Sequence, residues 1–124
     1  VQLPDGVLLV SQPKAVPAEL ERPPAVVLVD AADLNFPLHV RRWHTGDRFQ
    51  PLGMDGKHKK LKDFFTDQKY SRYDKENAWI LVNGDGRIIW IVGERLDDRF
   101  RIKSGTRHVV ELVFLKNTKL KSES

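Results

Sequence analysis

The chain has 124 residues, of which 40% are hydrophobic and 31% are charged, as is usual for one globular domain with a packed core. It contains no cysteine, which excludes disulfides, thiolate metal sites and a cysteine nucleophile and favours a reducing, cytoplasmic location. No apolar run is long enough to span a membrane, so no membrane partner is expected. The net charge of +4 is too small by itself to indicate a partner.

The first 30 residues contain five prolines, which favour turns and strand edges over central strands. One apolar run, residues 7–10, predicts a short strand. The β-branched segment 25–30 predicts a buried strand. We interpret residues 1–30 as a lead-in with short strands, either separate from the domain formed by residues 31–116 or part of it.

Residues 36–43 alternate in polarity. Leu38 and Val40 fall on one side, whereas His39, Arg41 and Trp43 fall on the other. This period of two predicts a strand with one solvent-exposed, basic face.

A turn-rich loop and a lysine-rich segment follow. Residues 46–56 contain three glycines and a proline, which favour an irregular backbone with exposed amides. In the next segment Leu61, Phe64 and Phe65 stand at positions i, i+3 and i+4, which predicts a helix over residues 57–68. Most of its lysines then point away from the buried face.

The remaining elements are mainly strands. Ser71 is suited to cap a second short helix. Residues 79–82 and 87–92 predict a hairpin around the Asn-Gly-Asp-Gly turn at 83–86. Further strands are predicted at 100–103 and 108–115, followed by a disordered tail at 117–124. The expected fold class is therefore α+β, with a mainly antiparallel core and one or two helices packed on it.

The positive charge is local. Residues 39–72 contain nine basic and four acidic residues, a net charge of +5, whereas the rest of the chain contains 12 basic and 13 acidic residues. We favour a polyanion-binding segment over a merely solvated lysine-rich face. The nine basic residues are Arg41, Arg42, Arg48, Lys57, Lys59, Lys60, Lys62, Lys69 and Arg72.

Motifs for catalysis or cofactor binding are not apparent. The chain has neither a P-loop nor a G-x-G-x-x-G sequence, and its four histidines do not show zinc-ligand spacing. We therefore expect no catalytic residue, cofactor or metal site in it. His44 and Asp47 could form an acid/base pair, but an aspartate that accepts backbone N–H bonds in the turn is favoured. Trp79 and Trp90 are expected in the core. For Trp43, the sequence leaves open whether the ring packs in the core or stacks on a base.

Three ordered blocks carry a family resemblance: Gly-Asp-Arg-Phe at 46–49, Pro-Leu-Gly-Met at 51–54 and Lys-Leu-x-Asp-Phe-Phe at 60–65. With Ile-Trp-Ile-Val-Gly at 89–93, the segment 34–115 resembles the C-terminal domain of bacterial tRNA(Ile)-lysidine synthetase. The resemblance implies a β-sandwich-like core with a helix, similar to a domain of the phenylalanyl-tRNA synthetase β subunit.

The resemblance also implies a function. The parent enzyme of this family is a ligase that uses ATP and lysine as substrates to convert the wobble cytidine of CAU-anticodon isoleucine tRNA to lysidine. Its catalytic N-terminal domain is expected to be missing from this chain, which begins at Val1. The resemblance implies that the C-terminal domain binds the tRNA around the acceptor stem. Whether the domain forms a homodimer is left open. The tRNA-binding role carries over to Arg41, Arg42, Arg48, Lys57, Lys59, Lys60, Lys62, Lys69 and Arg72.

Two other functions stay open from the sequence. One is a protein-interaction module whose basic helix meets an acidic partner. The other is a small hydrolase or editing domain that uses His44 and Asp47, which would need a concave pocket holding both groups.

Overall fold

A computed structural model describes residues 1–117 of the chain, so the predicted tail lies almost wholly outside the described residues. Eleven strands and two α-helices occur in this part of the chain. The strands are β1 (Gln2–Leu3), β2 (Gly6–Val10), β3 (Lys14–Ala15), β4 (Val26–Asp30), β5 (His39–Arg42), β6 (Arg48–Phe49), β7 (Lys59–Lys60), β8 (Trp79–Val82), β9 (Ile88–Ile91), β10 (Arg95–Leu96) and β11 (His108–Lys116). The helices are α1 (Leu61–Asp67) and α2 (Arg72–Asn77), and 3₁₀ turns occur at Ala31–Asp33 and Asp98–Phe100.

The first sheet is built around β11, the longest strand. Strands β2 and β3 pair antiparallel with one edge of β11, and β4 pairs antiparallel with the other. In the register, Val113 lies between Leu9 of β2 and Val26 of β4. Residues 1–30 thus supply four of the five strands in this sheet.

The second sheet has the strand order β10-β9-β8-β5, and all its pairs are antiparallel. The hairpin predicted at residues 79–92 forms its centre, with a register shift between Leu81 and Val82. Because β8 and β9 are buried on both faces, their side chains enter two different cores.

The two cores define three layers. Leu8, Val29, Trp90 and Leu112 pack in the core between the two sheets. On the opposite face of the second sheet, a smaller core contains the buried residues of the β6–β7 ribbon, α1, β8 and β9: Phe49, Leu61, Phe64, Phe65, Ile80, Val82, Ile88 and Ile91. Burying each such large side chain stabilises the fold by about 1.5–3 kcal/mol before entropy is counted. The predicted α+β fold class, a mainly antiparallel core with helices packed on it, is confirmed.

The start of the first helix differs from the prediction. It begins at Leu61 rather than at residue 57, because Lys59 and Lys60 pair with Phe49 and Arg48 in the β6–β7 ribbon. The predicted apolar face is correct, since Leu61, Phe64 and Phe65 are all buried. Lys62 is therefore the only one of the four clustered lysines that lies in this helix.

The second helix has the predicted cap, whereas one predicted strand is replaced by a 3₁₀ turn. Ser71 caps α2 as predicted, with its hydroxyl accepting a hydrogen bond from the Asp74 amide at 3.0 Å. The strand predicted at 100–103 is wrong, because Asp97 caps a 3₁₀ turn over Asp98–Phe100 by accepting from the Arg99 amide. No helix among residues 1–117 is both long and apolar enough to cross a membrane.

Candidate nucleic-acid interface

Two cations face each other across the β6–β7 ribbon. Arg48 and Lys60 are direct partners in the antiparallel register, as are Phe49 and Lys59. Side chains alternate along a strand, and Phe49 is fully buried, so Arg48 and Lys60 share the outer face of the ribbon. Both are exposed, and neither side chain has an ion pair or hydrogen bond with residues 1–117. Like charges directly opposite each other destabilise a sheet, so this arrangement favours a bound anion.

Three more lysines near this ribbon are exposed and unpaired within the described residues. Lys57 lies in the loop before β7, Lys62 in the first turn of α1, and Lys69 just after α1. A cation near a helix N-terminus opposes the helix dipole, so the position of Lys62 also costs stability in the free protein. We define the basic surface as Arg48, Lys57, Lys60, Lys62 and Lys69.

The loop that carries Lys57 is fixed to the second sheet through Asp97. The Asp97 carboxylate is fully buried, pairs with Arg99 at 2.8 Å and accepts the Gln50 amide at 2.8 Å. The Leu52 amide donates to the Leu96 carbonyl at 2.9 Å. Asp97 had not been anticipated as a positioning residue, and the only local signal was an aspartate placed before a short turn.

The turn before Arg48 is held by Arg41 and Asp47. The Arg41 guanidinium donates two hydrogen bonds to the Asp47 carboxylate at 2.9 and 3.0 Å, and the His44 amide donates to it at 2.6 Å. Burial acts to raise the pKa of Asp47, but the hydrogen bonds from Arg41 and His44 outweigh it, and the pKa lies below its ordinary value. Arg41 therefore positions the turn, and the turn interpretation of Asp47 matches the structure.

Besides Arg41, three of the predicted tRNA-binding residues have partners within the domain. The Arg42 guanidinium stacks 3.5 Å from the centre of the Trp79 ring. Lys59 forms an ion pair with Asp67. Arg72 pairs with Glu76 at 3.0 Å, but its side chain is 90% exposed, and such pairs contribute little to stability.

The tryptophans serve packing. Trp43 packs edge-on against Phe65, with ring centres 5.1 Å apart, and its indole donates to the Lys75 carbonyl at 2.8 Å. Trp79 donates to the Asp5 carboxylate at 3.0 Å, and Trp90 is fully buried. Trp43 thus belongs to the smaller core.

The geometry around His44 and Asp47 does not resemble a hydrolytic site. The carboxylate accepts hydrogen bonds from Arg41 and from the His44 backbone amide, and among residues 1–117 no hydrogen bond joins it to the His44 ring. Two surface clefts, of about 390 and 420 Å³, are lined by other residues. Within residues 1–117, no group of three or more His, Cys, Asp or Glu side chains could hold a metal ion.

Fold and site together define a class: a three-layer antiparallel domain with an unneutralised basic surface on a ribbon and an adjoining helix. A family model described as the TilS substrate C-terminal domain matches residues 38–112. The chain belongs to this family.

Two of the similar curated proteins are tRNA(Ile)-lysidine synthases. The chain is 47% identical over 96 residues to a tRNA(Ile)-lysidine synthase of Parabacteroides distasonis, with 77% of this chain and 22% of the relative aligned. It is 49% identical over 81 residues to the tRNA(Ile)-lysidine synthase of Bacteroides thetaiotaomicron, with 65% and 18% aligned. The chain thus spans about a fifth of the length of these relatives.

Two solved structures share the fold. A crystal structure of a TILS C-terminal domain superposes with a TM-score of 0.72 at 26% identity, covering 88% of this chain and 82% of that one. An N-terminal fragment of the phenylalanyl-tRNA synthetase β subunit from Pyrococcus horikoshii gives a TM-score of 0.62 at 17% identity, covering 77% and 29%. The second likeness concerns the fold alone, and it confirms the predicted similarity to that synthetase subunit.

Proposed function

We propose that this chain is the tRNA-binding domain of a tRNA(Ile)-lysidine synthase and that its basic surface holds the RNA backbone. The observation that carries the proposal is the Arg48–Lys60 pair, two like charges set opposite each other with no acidic partner among residues 1–117. The repulsion between them destabilises the free domain, and a bound phosphate relieves it. The names of the curated relatives, which are tRNA(Ile)-lysidine synthases, support tRNA as the phosphate-bearing partner.

The nine basic residues take three roles in this proposal. The five cations of the basic surface contact phosphates directly. Arg42, Lys59 and Arg72 contact the RNA by exchanging or sharing their present partners, which is easiest for the exposed Arg72. Arg41 acts indirectly, because its guanidinium is committed to Asp47.

The proposed binding mode is recognition of shape and phosphates on a stem. An A-form RNA stem has a deep, narrow major groove that side chains cannot read, so recognition depends on its phosphate ridges and shallow minor groove. Each neutralised phosphate contributes about 0.7–0.9 to the slope of log affinity against log salt. The five direct phosphate contacts alone predict a slope of about −3.5 to −4.5.

In the whole protein, this domain selects the tRNA through its acceptor stem. The chemistry, in which ATP activates the wobble cytidine of the CAU-anticodon isoleucine tRNA and lysine is joined to it, takes place in the part of the protein outside this chain. The fused position of the domain then raises the local concentration of the correct tRNA at that catalytic part.

The test compares two tRNAs with the same anticodon. Binding of the 124-residue chain to isoleucine CAU tRNA and methionine CAU tRNA is measured across a salt series. We expect salt-dependent binding to both and tighter binding to the isoleucine tRNA. In chimaeric tRNAs the preference should follow the acceptor stem.

Two results would contradict the proposal. If neither tRNA binds, while polyglutamate binds in a salt-dependent way, the domain is a protein-interaction module for acidic partners. If both tRNAs bind equally and the chimaeras show no preference, the basic surface binds RNA without selecting a stem.

A further inference from the structure

One aromatic side chain is presented to solvent at the end of the second sheet. Phe36 is 64% exposed and lies three residues before β5. Single exposed apolar residues are common on protein surfaces, so exposure alone carries no function. The backbone on either side of Phe36 supplies the second observation.

The residue before Phe36 is clamped by a buried asparagine. Asn83 is 1% exposed, and its side-chain oxygen accepts the Asn35 amide at 2.7 Å. Its side-chain nitrogen donates to the Asp33 carbonyl at 3.2 Å and to the Asn35 side chain at 3.3 Å. A buried polar side chain that bonds to a neighbouring loop at three points fixes that loop firmly.

The same position is held from a second direction by Gly84. Its amide donates to the Asn35 carbonyl at 2.6 Å, and a Cβ atom at residue 84 would lie 2.3 Å from that oxygen. Both backbone polar groups of Asn35 are therefore engaged. On the other side of Phe36, the ring of Pro37 restricts the backbone. An aromatic ring on so rigid a loop loses little conformational entropy when it binds a ligand.

The position of Phe36 relates it to the basic surface. Strand β5 begins near Phe36 and ends at Arg42. With the rise per residue of an extended strand, Phe36 and Arg42 are at most about 20 Å apart. The Arg41–Asp47 ion pair brings the start of β6, and with it Arg48, to that far end of β5. This path through β5 sets the distance that an unpaired extension must cover to reach Phe36 from a stem held on the basic surface.

We propose that Phe36 is a stacking platform for an unpaired base of the RNA that the basic surface holds. The inference rests on the proposed function, because the RNA must first be bound as a stem. Aromatic faces stack on unpaired bases with little dependence on base identity. The stem then supplies most of the affinity, and the stacked base tells a stem with a single-stranded end from one without.

The experiment uses the 124-residue chain and two RNA probes: a blunt duplex stem and the same stem with a short single-stranded extension, tested at the 5′ and the 3′ end separately. We expect one extension to tighten binding by about tenfold, as one stacked base does. Phe36→Ala and Phe36→Leu should abolish this gain without weakening binding of the blunt stem. Phe36→Trp should keep it.

Phe36→Leu keeps an apolar side chain but removes the aromatic face, so it separates stacking from general apolar contact. Leu115→Ala, at a site 53% exposed on the first sheet, is the matched control and should leave the gain unchanged. Equal binding of both probes by the unaltered chain, or a full gain in Phe36→Leu, would overturn the inference while leaving the basic surface intact. A failure of the proposed function looks different, because then neither probe shows salt-dependent binding.

Discussion

At the residue scale, Asp47 links the structure of the turn to the position of the basic surface. Its carboxylate receives Arg41 and the His44 amide, and its carbonyl accepts the Leu61 amide at 3.0 Å. One residue therefore connects β5, the start of β6 and the start of α1. The sequence favoured this turn role over an acid/base pair because aspartate so often accepts local backbone amides.

Replacement of Asp47 by Asn should destabilise the domain in a pH-dependent way. The pKa of Asp47 is lowered in the folded state, so its ionised form stabilises the fold above the ordinary value of 3.8, and that contribution is lost as the pH falls through the folded pKa. At neutral pH we expect Asp47→Asn to cost about 1–3 kcal/mol, as the loss of a charged hydrogen bond does. Urea unfolding of both proteins between neutral and acidic pH measures this.

The difference in free energy of unfolding between the two proteins should shrink as the pH falls below 3.8. Asp55→Asn is the control, because Asp55 is exposed and has no ion pair within residues 1–117. Its effect should be small at every pH. A difference for Asp47→Asn that stays constant into acid would show that the carboxylate contributes no charge-dependent stability.

At the element scale, the local pattern determined the buried face of α1 but not its start. The spacing of Leu61, Phe64 and Phe65 predicted that face correctly. The lysines that precede Leu61 have good helix propensity, so the sequence predicted a helix that begins at residue 57. Lys59 and Lys60 instead pair with Phe49 and Arg48, about ten residues earlier in the chain. The periodicity of a local segment cannot predict such a pairing.

The end of α1 contains a lysine in a backbone conformation that suits glycine. Lys69 has a φ of 59°, the Tyr70 amide donates to the Phe65 carbonyl at 2.9 Å, and the Lys69 amide donates to the Thr66 carbonyl at 3.0 Å. This is the helix-terminating pattern in which glycine avoids a steric cost. Lys69 therefore places a charged side chain at a position where glycine would have less backbone strain.

Lys69→Gly should therefore stabilise the domain by about 0.5–1 kcal/mol and weaken tRNA binding. The magnitude of the salt slope should fall by about 0.7–0.9, which corresponds to one phosphate contact. Lys69→Ala is the matched control, since it removes the charge but keeps the unfavourable backbone. Lys69→Ala should weaken tRNA binding as much as Lys69→Gly does, but without raising the melting temperature. An unchanged salt slope in both variants would show that Lys69 does not contact the RNA.

At the scale of the whole molecule, the second sheet connects two cores. The predicted hairpin at 79–92 identified its centre, and the predicted sandwich corresponds to the core between the sheets. A helix packed on the core was predicted, but the β6–β7 ribbon beside it and the burial of both faces of β8 and β9 were not. The pairing of β2 with β11, about 100 residues later in the chain, is equally invisible to local patterns.

Within residues 1–117, an acidic side chain pairs with cations on the first sheet, whereas none does so on the basic surface. On the first sheet, Glu111 pairs with Lys14 at 3.1 Å and with Arg22 at 3.2 Å. On the basic surface, five cations have no such partner among the described residues. The small net charge of +4 thus hides a local excess of positive charge. The sequence predicted where this excess lies, but it did not predict the partners of Arg41 and Arg42.

The measurement that tests the central claim most directly is the salt dependence of tRNA binding by Arg48→Gln/Lys60→Gln. The control is Arg107→Gln/Lys116→Gln, which removes two exposed cations that have no ion pair within residues 1–117 and lie at or beside β11. We expect the first variant to bind tRNA more weakly, with a slope smaller by about 1.4–1.8, and to melt at the same or a higher temperature because repulsion is relieved. The control should keep the original slope. Equal slopes for both variants and the unaltered chain would contradict the assignment of the RNA interface to the basic surface.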